Sequence, residues 1–117
     1  MSNMKPAEFL TDTHALLGDR ARLAIMATLA ACKQPIDFTT LLDSVNLTKG
    51  NLSAHAKMLE DAKLIRVKKE FVDRKPRTTY VCTDRGRNEI DNYLSKLEQL
   101  LRHTKIDGRD VCGATSV

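Results

Sequence analysis

The chain has 117 residues, 42% of them hydrophobic and 29% charged, and its net charge is +4. This length fits one domain, and the balance of apolar and charged residues is typical of a globular protein rather than a disordered one. The stretch 1–17 carries Glu8 and Asp12 and lacks the apolar segment that a signal peptide requires. No segment approaches the ~20 apolar residues of a membrane span. We therefore expect a cytoplasmic protein with no membrane partner.

The residue inventory argues against catalysis and metal binding. Cys32, Cys82 and Cys112 lie far apart and form no CxxC pair, so we expect reduced thiols, the first two in or near the core. His55 lies one position from an apolar helix face and is expected to be packed and hydrogen-bonded. No nucleophile, base and orienting group can be assembled, and no glycine-rich phosphate loop is found. We expect no enzyme, no metal and no cofactor.

The first third of the chain predicts two helices and a short extended segment. A helix over 7–17 is ended by Gly18, and Asp19 is a suitable N-cap for a second helix over 20–32. The run 36–38 is too short for an independent strand but can pair at the edge of a sheet.

The middle of the chain predicts a helix-turn-helix. A short helix over 39–45 ends at Asn46, which tolerates left-handed backbone, and Thr48 can cap a helix over 48–62. One face of this second helix is apolar, and the opposite face carries small and hydrogen-bonding side chains. The apolar face consists of Leu52, Ala56 and Leu59. A backbone with such small side chains could sit deep in a major groove.

A β-hairpin with a basic tip follows. The runs 64–72 and 78–82 are rich in β-branched and aromatic residues, and the turn 73–77 between them contains Pro76 and three cations. This hairpin has the shape of a wing, and arginine is favoured in the negative potential of a narrow minor groove.

The last predicted element is a long helix that begins after Thr83. Its apolar residues repeat with heptad-type spacing, and such a seam is too apolar to face water alone. The predicted dimer interface consists of Ile90, Tyr93, Leu94, Leu97, Leu100 and Leu101. We expect the helix 7–17 to pack beside this seam, and the polar stretch 107–117 to form a flexible C-terminal tail behind a single domain over 1–106.

The positive charge is concentrated in one part of the chain. Residues 48–82 contain nine basic and four acidic side chains, whereas 1–47 and 83–117 have net charges of −1 and zero. A basic patch confined to the helix-turn-helix and hairpin is the pattern expected for a polyanion partner.

The order of these elements and two motifs resemble a known family. The runs LTKGNLSAH…LE (47–60) and RKPRTTY…T..GR (74–87) are similar to those of stand-alone winged-helix regulators related to the MarR and ArsR families. The resemblance covers about residues 16–102. It implies a mainly α fold with a small β-hairpin (α+β), a winged helix-turn-helix with a long C-terminal dimerisation helix. It also implies a homodimeric, sequence-specific regulator of transcription that binds double-stranded DNA.

Under this resemblance, helix 48–62 enters the major groove and the tip 73–77 lies at the minor groove. The predicted DNA contacts are Thr48, Lys49, Gly50, Asn51, Ser53, Ala54, Lys57, Arg74, Lys75 and Arg77. The sequence departs from the family pattern at Ala56, where a larger aliphatic side chain is usual, and at Lys63, where glycine usually ends the recognition helix.

Three further hypotheses stay open at this point. One is non-specific architectural DNA binding, although the hydrogen-bonding groups on the exposed face of helix 48–62 argue against it. A winged helix can also serve as a protein–protein interaction module, although the basic recognition helix and tip favour DNA. A small apolar effector between the dimer helices and the helix-turn-helix is compatible with the resemblance, but no residue requires one.

Overall fold

The computed structural model describes the backbone of residues 12–105 and the side chains of residues 15–104. The beginning of the predicted helix 7–17 and the predicted tail 107–117, which includes Cys112, lie outside the described residues.

Five helices and three strands form the described part of the chain. In chain order they are α1 (Asp12–Leu17), α2 (Arg20–Ala30), β1 (Ile36–Asp37), α3 (Phe38–Val45), α4 (Lys49–Asp61), β2 (Ile65–Val72), β3 (Lys75–Cys82) and α5 (Asp84–Lys105). This order confirms the mainly α fold with a helix-turn-helix, a hairpin and a long final helix. No helix among the described residues is long and apolar enough to cross a membrane.

The predicted helix boundaries are set by local capping groups. The side chain of Asp19 accepts hydrogen bonds from the backbone N–H groups of Ala21 at 2.8 Å and Arg22 at 3.1 Å, so it caps α2. The bond from Arg22 is the main reason that the pKa of the Asp19 carboxyl lies below its usual value. Asn46 ends α3 with left-handed backbone, at φ 54° and ψ 50°. Both positions confirm the sequence prediction.

The three strands form one antiparallel sheet in the order β1-β3-β2. Ile36 lies opposite Tyr80, which confirms that the short run after α2 pairs at a sheet edge. Ile65 lies opposite Cys82, and the β2–β3 hairpin continues in register to the pair Val72 and Lys75.

The prediction of a five-residue turn over 73–77 was wrong. Only Asp73 and Arg74 separate the strands, with φ values of 52° and 68°, and two successive positive φ values are typical of a two-residue hairpin turn. Pro76 therefore lies within β3. It is tolerated because β1 pairs only with Thr79 and Tyr80, so near the tip β3 has a neighbour on one side alone.

The hydrophobic core lies between the helices and one face of the sheet. Every element except the hairpin tip contributes to it, and α5 contributes Ile90 and Tyr93. The largest fully buried side chains are Leu17, Ile25, Met26, Leu29, Leu41, Leu52, Leu59 and Leu64. Because Leu52 and Leu59 of α4 lie in the same core as Ile65 of β2, the helix-turn-helix and the base of the hairpin share one core.

The end of α4 requires a left-handed residue at Lys63. The N–H of Lys63 donates to the carbonyl of Glu60 at 2.9 Å, and the N–H of Leu64 donates to the carbonyl of Leu59 at 3.0 Å. This pair of bonds forms a Schellman motif, and Lys63 accordingly has φ 68°. Lysine costs roughly 1 kcal/mol more than glycine there, but it does not prevent the helix from ending.

Gly86, in the first turn of α5, is buried against the start of β2. A Cβ atom at this position would overlap the backbone carbonyl of Leu64 and lie 3.1 Å from Sγ of Cys82. Thr83 fixes the same approach, because its N–H donates to the carbonyl of Leu64 at 3.1 Å and its Oγ1 accepts from the N–H of Gly86 at 2.9 Å. The sequence analysis missed this requirement for glycine.

We expect Gly86→Ala to lower the free energy of unfolding by about 2–3 kcal/mol, because the added methyl must displace backbone rather than a flexible side chain. Gly50→Ala is the matched control. Its Cβ would meet nothing within 4 Å, so it should raise stability by roughly 0.4–1 kcal/mol. Urea denaturation measures both, and equal stabilities for the two variants would contradict the close approach at Gly86.

Candidate nucleic-acid interface

The two faces of α4 have opposite environments. Leu52, Ala56 and Leu59 are at most 3% exposed and pack into the core, as the apolar spacing predicts. The opposite face is in contact with solvent. The exposed residues at the N-terminus and on this face are Thr48, Lys49, Gly50, Asn51, Ser53, Ala54 and Lys57. The structure therefore places every predicted contact residue of this helix on a free surface of the described chain.

The start of α4 is fixed by a side-chain cap. Oγ1 of Thr48 accepts a hydrogen bond from the N–H of Asn51 at 3.1 Å. This bond confirms Thr48 as the N-cap, and its hydroxyl is already engaged within the protein. The side chain of Asn51 points to solvent, and its amide can both donate and accept hydrogen bonds.

Arg22 of α2 holds α4 in place, a role that the sequence analysis missed. Its Nε donates to the carbonyl of Leu16 at 2.7 Å, and its Nη1 lies 3.2 Å from Nδ1 of His55 and 3.4 Å from Sδ of Met58. The predicted packed and hydrogen-bonded state of His55 is confirmed. One guanidinium thus connects α1, α2 and the side of the helix next to its exposed face.

Lys57 forms an ion pair with Asp61, one turn further along α4. The Nζ to Oδ1 distance is 3.2 Å, and both side chains are more than 60% exposed. Exposed pairs of this kind contribute only about 0.2–1 kcal/mol. Lys57 is therefore free to exchange this partner for a phosphate.

The hairpin tip presents its cations to solvent. Arg74 occupies the two-residue turn, and Lys75 and Arg77 follow on β3; all three are exposed. The side chains of Lys75 and Arg77 lie on one face of the sheet because residues two apart in a strand share a face.

A cleft of about 350 Å³ separates α4 from the hairpin. Its floor contains Phe38 and Tyr80, whose ring centroids are 6.4 Å apart, and burial raises the pKa of Tyr80. Its walls carry Ser53, Lys57 and the acidic Glu60 from α4, and Lys69 from β2. Lys69 was not among the predicted contacts. Its position four residues before the tip gave no sign that it faces the helix.

The predicted seam of α5 divides between the chain's own core and its surface. Ile90 and Tyr93 are 2% and 8% exposed and belong to the core, and Leu97 packs against that core. Leu100 is half-buried. Leu94 and Leu101, in contrast, are 47% and 52% exposed. The described part of α1 contacts α5, as the sequence analysis expected.

The cysteines do not form a site in the described residues. Cys82 is buried, and this burial raises the pKa of its thiol, while Cys32 is half-buried. A raised pKa leaves less of the reactive thiolate at neutral pH. Within residues 15–104 no group of three His, Cys, Asp or Glu side chains could hold a metal ion.

Three helices followed by a hairpin, with an exposed polar helix face beside a basic tip, define a winged helix of the DNA-binding kind. The family model for the winged helix DNA-binding domain matches residues 21–101, so the chain belongs to this family. Membership in a family of DNA-binding domains agrees with the expectation that the chain is not an enzyme.

Several known proteins are similar to this chain in sequence or in fold. An uncharacterized protein of Methanocaldococcus jannaschii is 32% identical over 81 residues, covering 69% of this chain and 84% of the relative. A transcriptional regulator homologue from Pyrococcus horikoshii is 31% identical, with a TM-score of 0.74 over 85% of this chain and 95% of its own. A MarR-family regulator from Silicibacter pomeroyi has the same fold, with 21% identity and a TM-score of 0.59 over 85% and 65% of the two chains. The chain is thus a winged-helix DNA-binding regulator.

Proposed function

We propose that this regulator binds one specific double-stranded DNA sequence as a homodimer and controls transcription from it. In this proposal α4 lies in the major groove, and the hairpin tip lies along the minor groove. The observation that carries the proposal is the cleft between the two elements, where Ser53 and Lys57 face Lys69 across an open groove. Lys57 and Lys69 place a cation on each wall, and Glu60 is the one carboxylate among the lining residues, so the net positive charge suits a phosphate backbone that passes between a reading helix and a wing.

The division of α4 into two faces supports sequence-specific binding. Asn51 and Ser53 carry hydrogen-bonding groups suited to base edges, and Lys49 and Lys57 can bind phosphate or guanine. Gly50 and Ala54 keep the exposed face narrow, so the helix backbone can approach the base pairs. The family assignment favours a DNA-binding function over the alternative of a protein-interaction module. No observation in the described residues favours that alternative.

The exposed part of the α5 seam supports the homodimer. Leu94 and Leu101 are seven residues apart, two turns of helix, and thus lie on one face. A second copy related by two-fold symmetry would cover both, with Leu97 and Leu100 beside them. Ile90 and Tyr93 are already buried in the chain's own core, so they anchor α5 to the domain rather than face a second copy. Such a dimer would set the two recognition helices about 34–36 Å apart, one turn of DNA.

We expect Asn51→Ala to weaken binding to the preferred duplex by about 1–3 kcal/mol, and to relax the preference at one base position, because a bidentate base contact is lost. Fluorescence anisotropy with the preferred duplex and with random DNA measures the effect. Asn88→Ala, a change at an exposed asparagine of α5, is the matched control. An equal loss on random DNA would mean that Asn51 does not read sequence.

We expect the double change Arg74→Ala and Lys75→Ala to weaken binding to all duplexes. It should also flatten the slope of log affinity against log salt by roughly one to two units. Both side chains are exposed, so the thermal midpoint should stay nearly unchanged. Lys33→Ala, which removes an exposed cation at the end of α2, should leave the slope as it is. Unchanged affinity and slope in the double variant would exclude the tip as a DNA contact.

We expect the double change Leu94→Asp and Leu101→Asp to give folded monomers that bind the preferred duplex much more weakly, because the shared apolar face is replaced by repelling charges. Sedimentation velocity and anisotropy measure the two effects. Ser95→Asp with Gln99→Asp introduces the same charge at exposed positions of α5 and should leave a dimer. A monomeric unaltered protein at micromolar concentration would contradict the homodimer.

A further inference from the structure

Phe71 is the most exposed large hydrophobic residue in the described part of the chain, at 77% of its surface. It lies on β2, two residues before the turn of the hairpin. An isolated exposed apolar residue is common on protein surfaces, so exposure alone does not make Phe71 a contact. Its position in the sheet and its charged surroundings carry the argument.

Phe71 lies on the sheet face that is turned toward α4. Alternation along β2 places Ile65, Val67, Lys69 and Phe71 on one face. Ile65 is in the core, and Val67 and Lys69 line the cleft beside α4. Phe71 is the next residue on this face, about 7 Å further out than Lys69.

The partner of Phe71 across the hairpin makes this end of the wing rigid and apolar. Phe71 lies directly opposite Pro76, and directly opposed residues of an antiparallel pair share a face. The proline ring fixes its own backbone angle, and the tight turn at Asp73 and Arg74 closes the hairpin two residues beyond Phe71. The ring thus lies near the end of a short hairpin, close to its two-residue turn.

Cations lie on both faces of the hairpin near this apolar pair: Lys69 shares its face, Arg74 occupies the turn, and the others lie on the opposite face. The sequence from 68 to 77 contains five basic residues and two acidic ones, Glu70 and Asp73. The basic residues are Lys68, Lys69, Arg74, Lys75 and Arg77. Glu70 is paired with Lys68 at 3.6 Å. A protein partner of Phe71 and Pro76 would need an apolar pocket with acidic residues around it to match the cations of the hairpin. The minor groove of DNA already combines negatively charged walls with apolar sugar and base surfaces.

We propose that Phe71 is an apolar wedge that enters the minor groove and partly unstacks one base step. This inference rests on the proposed placement of the hairpin at the minor groove. Apolar side chains that act in this way open a step and bend the duplex toward the major groove. Pyrimidine–purine steps are the easiest to open, so Phe71 would select a TA or CA step at a position that no hydrogen-bonding side chain reads.

The test uses the full chain and the tightest duplex recovered from a random pool, with 2-aminopurine placed at successive positions next to the wing. Binding of the unaltered protein should raise the fluorescence at one step. Phe71→Ala should abolish this rise and weaken binding roughly 10- to 100-fold, as for other aromatic contacts with bases, without changing the salt slope. Phe71→Leu should keep most of both effects.

Val72→Ala is the matched control, because Val72 is 40% exposed on the same hairpin but lies on the opposite face of β2. It should leave affinity and fluorescence unchanged. Thermal midpoints check that each variant is folded.

The remaining outcomes contradict the wedge. Absence of a fluorescence rise with the unaltered protein would overturn it, as would equal losses for Phe71→Ala and Val72→Ala. If Phe71→Ala binds DNA normally while the change at Arg74 and Lys75 weakens binding, the wedge is wrong and the DNA-binding wing stands. A change in sedimentation of Phe71→Ala without a change in DNA binding would assign the ring to a contact between proteins. Failure of the unaltered protein to bind any duplex would overturn the wedge and the proposed function together.

Discussion

The structure depends on the backbone of Leu64, where α4, the hairpin and α5 meet. Its N–H closes the end of α4 on the carbonyl of Leu59, and its carbonyl accepts from the N–H of Thr83, whose hydroxyl proton is shared between the carbonyls of Lys63 at 2.8 Å and Leu64 at 3.1 Å. Its side chain is fully buried, and the backbone of Gly86 lies directly against its carbonyl. One residue therefore fixes where α4 stops, where the hairpin begins and where α5 starts.

This junction explains how a small domain can hold the proposed DNA-binding surface in one arrangement. The exposed face of α4 and the hairpin tip must keep a fixed separation if a duplex is to contact both, and the shared core below them supplies it. Arg22 secures the other side of α4 through His55 and the carbonyl of Leu16. Packing then holds the lysines on the two walls of the cleft apart, and the exposed ion pair of Lys57 with Asp61 is weak enough to leave that lysine accessible.

The same connection would relate DNA binding to the arrangement of the proposed homodimer. Because Gly86 and Thr83 fix the start of α5 against the base of the hairpin, the direction of α5 is set by the winged helix itself. Arg87 adds to this, since its guanidinium donates to the carbonyl of Ala30 at the end of α2. In the proposed homodimer, the spacing of the recognition helices would follow from the angle at which α5 leaves the domain.

The amino-acid sequence by itself determined the local features of this protein. The caps at Asp19 and Thr48, the left-handed stop at Asn46, and the buried and exposed faces of α4 could all be predicted, because each depends on residues within one or two helical turns. The length of the hairpin turn could not, since the cations and proline of 73–77 suit a loop as well as a strand.

Only the tertiary structure decided which distant residues meet. Arg22 and His55 are 33 positions apart, and nothing near either residue indicates the contact. From the sequence, the apolar residues of α5 could contact the chain's own core or a second copy, because a hydrophobic side chain does not indicate which surface will cover it. In the structure, Ile90 packs in the core and Leu94 is exposed. Lys69 likewise joined the cleft only because the hairpin folds back beside α4. Short-range hydrogen bonds can be predicted from neighbouring residues, whereas the burial of a side chain depends on how all the elements pack together.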